Sequence, residues 1–248
     1  GRLGHAYLFT GSRGTGKTTC AKILAKAVNC LHPVEGDPCN ECEICRGIDD
    51  GSILDVVEID AASNNGVDNI RDLREEANFL PNVTKYRVYI IDEVHMLSMG
   101  AVNALLKIME EPPSHVIFIL ATTEVHKIPA TIQSRCQRFD FKRIDSAAIA
   151  GRLRYVSDQE GISITDEALA MIARLADGGM RDALSLLDLC SSHSHEVTLE
   201  TVSEAAGLIG QDYLFDIADA VSRKDLSAAL DLIGVLGTGM LAEHVRMP

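Results

Sequence analysis

The sequence predicts an α/β protein: a parallel sheet with helices on both faces, followed by a separate helical region. Three observations lead there. The stretch Gly11-Ser-Arg-Gly-Thr-Gly-Lys-Thr-Thr19 fits the phosphate-binding loop G-x-x-x-x-G-K-[ST] and stands between an apolar run and a helical pattern. Short apolar runs then alternate with amphipathic segments, the mark of strands buried on both faces. From Ile144 onward the pattern is helical. In such sheets ligands sit at the carboxyl ends of the strands.

The first strand is Ala6-Tyr-Leu-Phe9, and the first helix covers residues 18–28, with Ala, Ile and Leu at helical spacing. The loop between them is expected to hold nucleotide phosphates through Gly11, Ser12, Arg13, Gly14, Thr15, Gly16, Lys17, Thr18 and Thr19. Its glycines allow tight turns that bring N–H groups against phosphate oxygens, and the helix start adds its positive dipole end. Lys17 can reach the β- and γ-phosphates, and the Thr18 hydroxyl can ligate Mg²⁺.

Cys30, Cys39, Cys42 and Cys45 follow with the spacing C-x8-C-x2-C-x2-C. Four soft sulfur ligands favour tetrahedral Zn²⁺, and a site closed by four cysteines has no open position for catalysis, so it reads as structural. Free buried thiols and an iron–sulfur cluster are the alternatives.

Asp55-Val-Val-Glu-Ile-Asp60 reads as a strand, then a polar turn, then a surface helix over 67–80 with Ile70, Leu73, Ala77 and Leu80 inward, stopped by Pro81. Arg87-Val-Tyr-Ile-Ile-Asp92-Glu93 is a strand ending in two acids. Asp92 can meet the Mg²⁺ shell, and Glu93 can orient and polarise an attacking water. His95 reads more simply as a structural residue than as a switch. A helix over 99–111, with Leu105, Leu106 and Met109 inward, ends at Pro112-Pro113. The strand over 116–121 leads to Thr123, placed to sense a γ-phosphate or, more simply, present as a β-former. A short helix delivers Arg135 before a last strand reaching Phe141.

Helical stripes then cover 147–161, 165–177 and 180–191, with Thr165 as an N-cap. They fit a small bundle that closes over the nucleotide. Further helix is expected from 198 through 236. The expected domains are 1–143, 144–206 and 207–248.

The 248 residues allow one large domain or two smaller ones. With 23 Lys plus Arg against 36 Asp plus Glu, the net charge of −13 argues against wrapping nucleic acid by bulk charge. No apolar run approaches the roughly 20 residues of a membrane span. The chain opens almost directly on a buried strand, so it is expected to be a trimmed piece of a longer protein.

The loop Gly11–Thr19, the Asp92-Glu93-Val-His95 box, Ala121-Thr-Thr123, Ser134-Arg135-Cys136 and Gly179-Met-Arg181-Asp-Ala-Leu184 together resemble an AAA+ clamp-loader ATPase. The four-cysteine insert narrows the resemblance to the gamma/tau subunits of bacterial DNA polymerase III, over about residues 1 to 240. The resemblance implies a P-loop AAA+ domain with the zinc insert, a three-helix lid and the start of a helical collar, the first trimmed before Gly1 and the last cut at Pro248. It implies ATP, Mg²⁺ and structural Zn²⁺ as cofactors. Arg135 would act in trans as an arginine finger on a neighbour's nucleotide, and Arg181 in cis as a second sensor. The implied partners are other clamp-loader subunits in a ring, the sliding clamp, and primer–template DNA through the assembled complex. The expected compartment is the cytoplasm, with no membrane contact. The piece alone is expected to be monomeric or weakly associating, with low ATPase activity. A non-catalytic scaffold of this fold and an AAA+ helicase or helicase loader are the competing readings.

Overall fold

β1 (Ala6–Gly11), β2 (Val56–Asp60), β3 (Arg87–Asp92), β4 (Val116–Thr122) and β5 (Gln137–Phe141) form one parallel sheet in the order β2-β3-β4-β1-β5. The computed structural model describes residues 3–194, 196–207, 219–223, 225, 226 and 228. The helical domain expected over 207–248 lies almost wholly outside the described residues. The chain divides into two compact units, Gly1–Ile144 with Gly178–Arg181, and Asp145–Asp177 with Asp182–Pro248.

In the first unit, strand side chains alternate between two apolar layers, as a period of two demands. Leu8, Tyr89, Ile91, Phe118 and Leu120 face α3 (Val67–Glu76) and α4 (Met99–Glu110), which contribute Ile70, Leu73, Leu105 and Met109. Tyr7, Phe9, Val88, Ile90, Ile117 and Ile119 face the other way, against Ala21 and Ala25 of α1 (Lys17–Asn29). Tyr89 pairs with Phe118 in register, and their rings stack with centroids 5.6 Å apart. β4 is buried along its whole length, so the ladder that carries it is fixed on both sides. β5 is the exposed edge, with four of its five residues open to solvent, and its polar residues fit that place.

α3 ends at Glu76, five residues before the Pro81 expected to stop it. His115 Nε2 lies 3.1 Å from the carbonyl oxygens of both Ala77 and Phe79, so a side chain from beyond β3 takes up carbonyls that a longer helix would use. Leu80 is 73% exposed rather than inward. A second helix, α2 (Glu43–Asp49), begins inside the cysteine stretch, where the sequence analysis placed no element.

Asp55, fully buried at the start of β2, accepts the backbone N–H groups of Asn82, Val83 and Thr84 at 2.8–3.1 Å and faces Arg87 at 3.4 Å. Burial pulls its pKa upward, but these amides and the guanidinium outweigh it and hold the carboxyl below its usual range. Its folded pKa is therefore below the unfolded one. The stabilisation is present above about pH 4 and is lost as pH falls through the folded value. Asp55→Ala leaves three amides unpaired and is expected to cost about 3 kcal/mol. Denaturant melts between about pH 3 and 7 check this: the variant should lose the acid-dependent part of the stability seen in the wild type.

The second unit contains α6 (Ser146–Glu160), α7 (Asp166–Leu175), most of α8 (Met180–His193) and α9 (Leu199–Ala205). Ile149, Leu153, Leu169, Ile172 and Leu187 are buried along the faces of α6, α7 and α8. Thr165 caps α7 by accepting from Ala168 N–H at 3.2 Å. Two short strands absent from the sequence expectation, β6 (Ser163–Ile164) and β7 (Glu196–Val197), pair in parallel. Arg154 ties α6 to this turn through Ile164 O and Asp166. Among the described residues, no helix is long and apolar enough to cross a membrane.

Candidate functional site

Two glycines of the loop after β1 stand where a side chain does not fit. Gly11 has φ +150°, and a Cβ there would lie 2.3 Å from the Phe141 carbonyl oxygen of β5. Gly14 has φ +75°, and a Cβ there would meet Gly179 Cα at 3.1 Å. Met180 N–H donates to Gly14 O at 2.9 Å, so the peptide Gly178–Arg181 is part of the loop's own unit. Thr15 Oγ1 closes the turn on Ser12 O at 2.8 Å. Gly16 caps α1 without a side chain, leaving the helix's first amides available to an anion.

Lys17 is the first residue of α1 and only 6% exposed. Its Nζ donates to the carbonyl oxygens of Gly11 and Ser12 at 3.0 and 2.9 Å, which curls the ammonium back over the loop. Burial pushes its pKa down, opposed by the charges of Glu93 and Asp92. The next residue, Thr18, donates its hydroxyl to Asp92 Oδ2 at 2.6 Å. Seventy-four residues apart in sequence, the helix start and the end of β3 meet at one point. A hydroxyl and a carboxylate in contact beside a lysine are the donor set that a phosphate-bound Mg²⁺ uses, and both atoms would bind it in place of each other.

Glu93 follows in a left-handed conformation, φ +47°, uncommon for a residue with a side chain. Its N–H donates to Asp92 Oδ1 at 2.8 Å. Its Oε2 accepts from Thr123 N–H at 3.1 Å and Thr123 Oγ1 at 2.9 Å. Thr123, expected as a phosphate sensor or a plain β-former, has its hydroxyl on this carboxylate. His95 approaches the same oxygen, with Thr122 at the end of β4 on the same ring nitrogen, a placement that no local pattern around His95 announces. Arg135 lies beyond α5 (Ala130–Gln133), where its guanidinium donates to Glu110 at 2.9 Å and to Thr131 O at 2.7 Å. Arg181 is exposed, with its backbone N 3.4 Å from where a Gly14 Cβ would stand.

At the far end of α1, Cys30 is the C-cap, and Cys42 caps α2, whose first turn contains Cys45. The sulfurs of Cys30, Cys39, Cys42 and Cys45 all lie within 4.8 Å of one another. A tetrahedron with bonds of about 2.3 Å needs sulfurs roughly 3.8 Å apart, so a small contraction suffices. Backbone N–H groups already point at the sulfurs: His32 and Cys39 at Cys30, Cys42 at Cys39, and Cys45 at Cys42. The Cys39 amide leads in holding the Cys30 thiol low. Burial opposes the Cys42 thiolate, but surrounding donors bring it down to about 6, while burial pushes Cys45 up to about 12. The four sulfurs fit a divalent cation, which would supply the charge that four neighbouring thiolates lack. Lys26, 8% exposed, donates to Asn40 and Asp49 and ties the cysteine segment to α1.

Residues 1–145 match the family model described as DNA polymerase III, delta subunit, and residues 148–193 match that of the DNA polymerase III clamp loader subunit, ATPase lid domain. The chain is 58% identical over 236 residues to DNA polymerase III subunit tau of Bacillus subtilis, covering 95% of this chain and 42% of that protein. It is 42% identical over 253 residues to DNA polymerase III subunit gamma of Buchnera aphidicola, covering 99% of this chain and 70% of that protein. It thus spans less than half of the tau relative's length. The RuvB Holliday junction branch migration motor of Thermotoga maritima shares the fold, with TM-score 0.58 and 17% identity, over 95% of this chain and 74% of that one.

Proposed function

The chain belongs to the gamma/tau family of DNA polymerase III clamp-loader subunits, and from that premise we propose that it is the ATP-hydrolysing part of a loader that places a sliding clamp on primed DNA. The observation that carries the reading is the 2.6 Å contact between Thr18 Oγ1 and Asp92 Oδ2, beside Lys17 at a helix N-terminus. A chain that merely kept the fold as a scaffold would have no need of these three groups together.

In this reading residues 1–143 are the ATPase domain, 144–206 the lid and 207–248 the start of the collar. The loop amides from Gly11 to Thr19 bind the triphosphate, and Lys17 exchanges its two carbonyl partners for phosphate oxygens. Thr18 and Asp92 hold Mg²⁺, which when bound neutralises charge on the phosphates. Glu93 orients the attacking water and accepts its hydrogen bond. Thr123 links that carboxylate to the end of β4. Arg181 contacts the phosphates of the same subunit, while Arg135 reaches a neighbour's and makes hydrolysis depend on assembly. Cys30, Cys39, Cys42 and Cys45 hold a structural Zn²⁺. The partners are the other loader subunits, the clamp, and primer–template DNA within the assembled complex, all in the cytoplasm.

The test is the ATPase rate of the full-length subunit with its partner subunits, with and without clamp and primed DNA. Stimulation by clamp and DNA of about tenfold or more supports the reading, as does an Arg135→Ala loss of at least about a hundredfold in the assembly with nucleotide binding intact. A rate indifferent to both would overturn it.

A further inference from the structure

We propose that His95 is a positioning residue for Glu93, one that fixes which carboxylate oxygen is free to meet the attacking water. The inference rests on the hydrolytic reading above and adds a residue to it. The His95 side chain is only 6% exposed. Its Nδ1 lies 3.2 Å from Glu93 Oε2 and 3.0 Å from the hydroxyl of Thr122, which is itself fully buried. Its Nε2 lies 3.5 Å from Glu124 Oε1.

An ionised carboxylate only accepts, so the contact with Glu93 requires the proton on Nδ1. The Thr122 hydroxyl accepts from Glu124 N–H at 3.0 Å, which fixes the oxygen that the ring meets. Glu124 in turn is held by Lys127 at 2.7 Å. The imidazole is therefore held on its Nδ1 side between Glu93 and the Thr122 hydroxyl at the end of β4, while Glu124 lies beside Nε2. Glu93 Oε2 then receives three donors: Thr123 N–H, Thr123 Oγ1 and His95 Nδ1. A carboxylate oxygen so filled has no capacity for a water, and Oε1 is left for it. Because a general base must stand within hydrogen-bond reach of the proton it takes, small rotations of this carboxylate carry a large kinetic effect. Glu93 also starts from a left-handed backbone, uncommon for a residue with a side chain.

The experiment compares four variants of the full-length subunit in the assembled loader, with Mg²⁺ and ATP, measuring kcat, KM, nucleotide affinity and melting temperature. His95→Ala should lower kcat by roughly ten- to a hundredfold, the scale on which outer partners of a reacting group act, with nucleotide affinity changed by less than about twofold. His95→Asn, whose amide can donate from near the Nδ1 position, should recover most of the loss. Glu93→Gln should abolish most turnover, and adding His95→Ala to it should lower the rate no further, because the histidine acts through that carboxylate. An unchanged kcat in His95→Ala, a further fall in the double variant, or no recovery in His95→Asn overturns the inference. If His95→Ala does not fold, His95→Asn and the double variant built with it decide the question. Wild-type turnover in Glu93→Gln would instead overturn the hydrolytic reading itself.

Discussion

Lys17→Ala is expected to reduce ATP turnover in the assembled loader by at least about a hundredfold, the scale set by removing one preorganised charge donor, and to weaken nucleotide binding as well. The lysine is nearly enclosed, with its ammonium on two carbonyls of the loop it must later serve. Those carbonyls are modest partners, and burial already disfavours the charge. A triphosphate would offer several anionic oxygens at the same place, so exchanging carbonyl for phosphate is strongly downhill. Alanine removes the cation and leaves the anion facing Asp92 and Glu93 with less positive charge to offset them. Isothermal titration with ATP and steady-state hydrolysis check both halves. Wild-type hydrolysis by Lys17→Ala would refute the motor reading. Lys17→Arg is also expected to fail, because a planar guanidinium does not fit the space a compact ammonium fills.

Removal of the metal should have the second large effect, on the fold. Metal-replete protein is expected to carry about one zinc per chain, since the free energy of closing such a site is folding free energy. Cys45→Ser should bring zinc below about half an equivalent and lower the melting temperature by roughly 10 °C, a loss of several kcal/mol in a chain of this length. Cys45 is the fully buried member of the set, so the substitution also leaves a hydroxyl where no exposed partner is at hand. Metal analysis and calorimetry before and after chelation read the two effects separately. Full zinc binding by Cys45→Ser, or a wild-type protein that purifies with none from zinc-rich medium, would refute the four-thiolate site.

The central chemistry was legible because it is written in short patterns. A glycine-rich loop before a helix, and two acids after an apolar run, name their own strand ends, and Thr18 and Asp92 do meet. The buried strands were legible for the same reason: Tyr89 and Phe118 sit in runs that only a covered sheet can use. Features set by distant residues were not. The end of α3 depends on His115, and the place of His95 depends on Thr122 and Glu124. Leu80 carries the period of the helix before it but lies past its end, so periodicity alone turned it inward. α2 is seven residues capped by a cysteine, too short and too unusual at its start to stand out from a ligand pattern. β6 and β7 have two residues each, below any useful periodicity.

The clash that any side chain at Gly11 would make with Phe141 has a meaning for how such sequences diverge. It is a demand of the sheet, present whether or not a nucleotide is ever bound. A descendant that had stopped turning over ATP would still keep the first glycine of the motif while its lysine drifted. In a lineage of decayed copies, the glycine therefore records ancestry and the lysine records use.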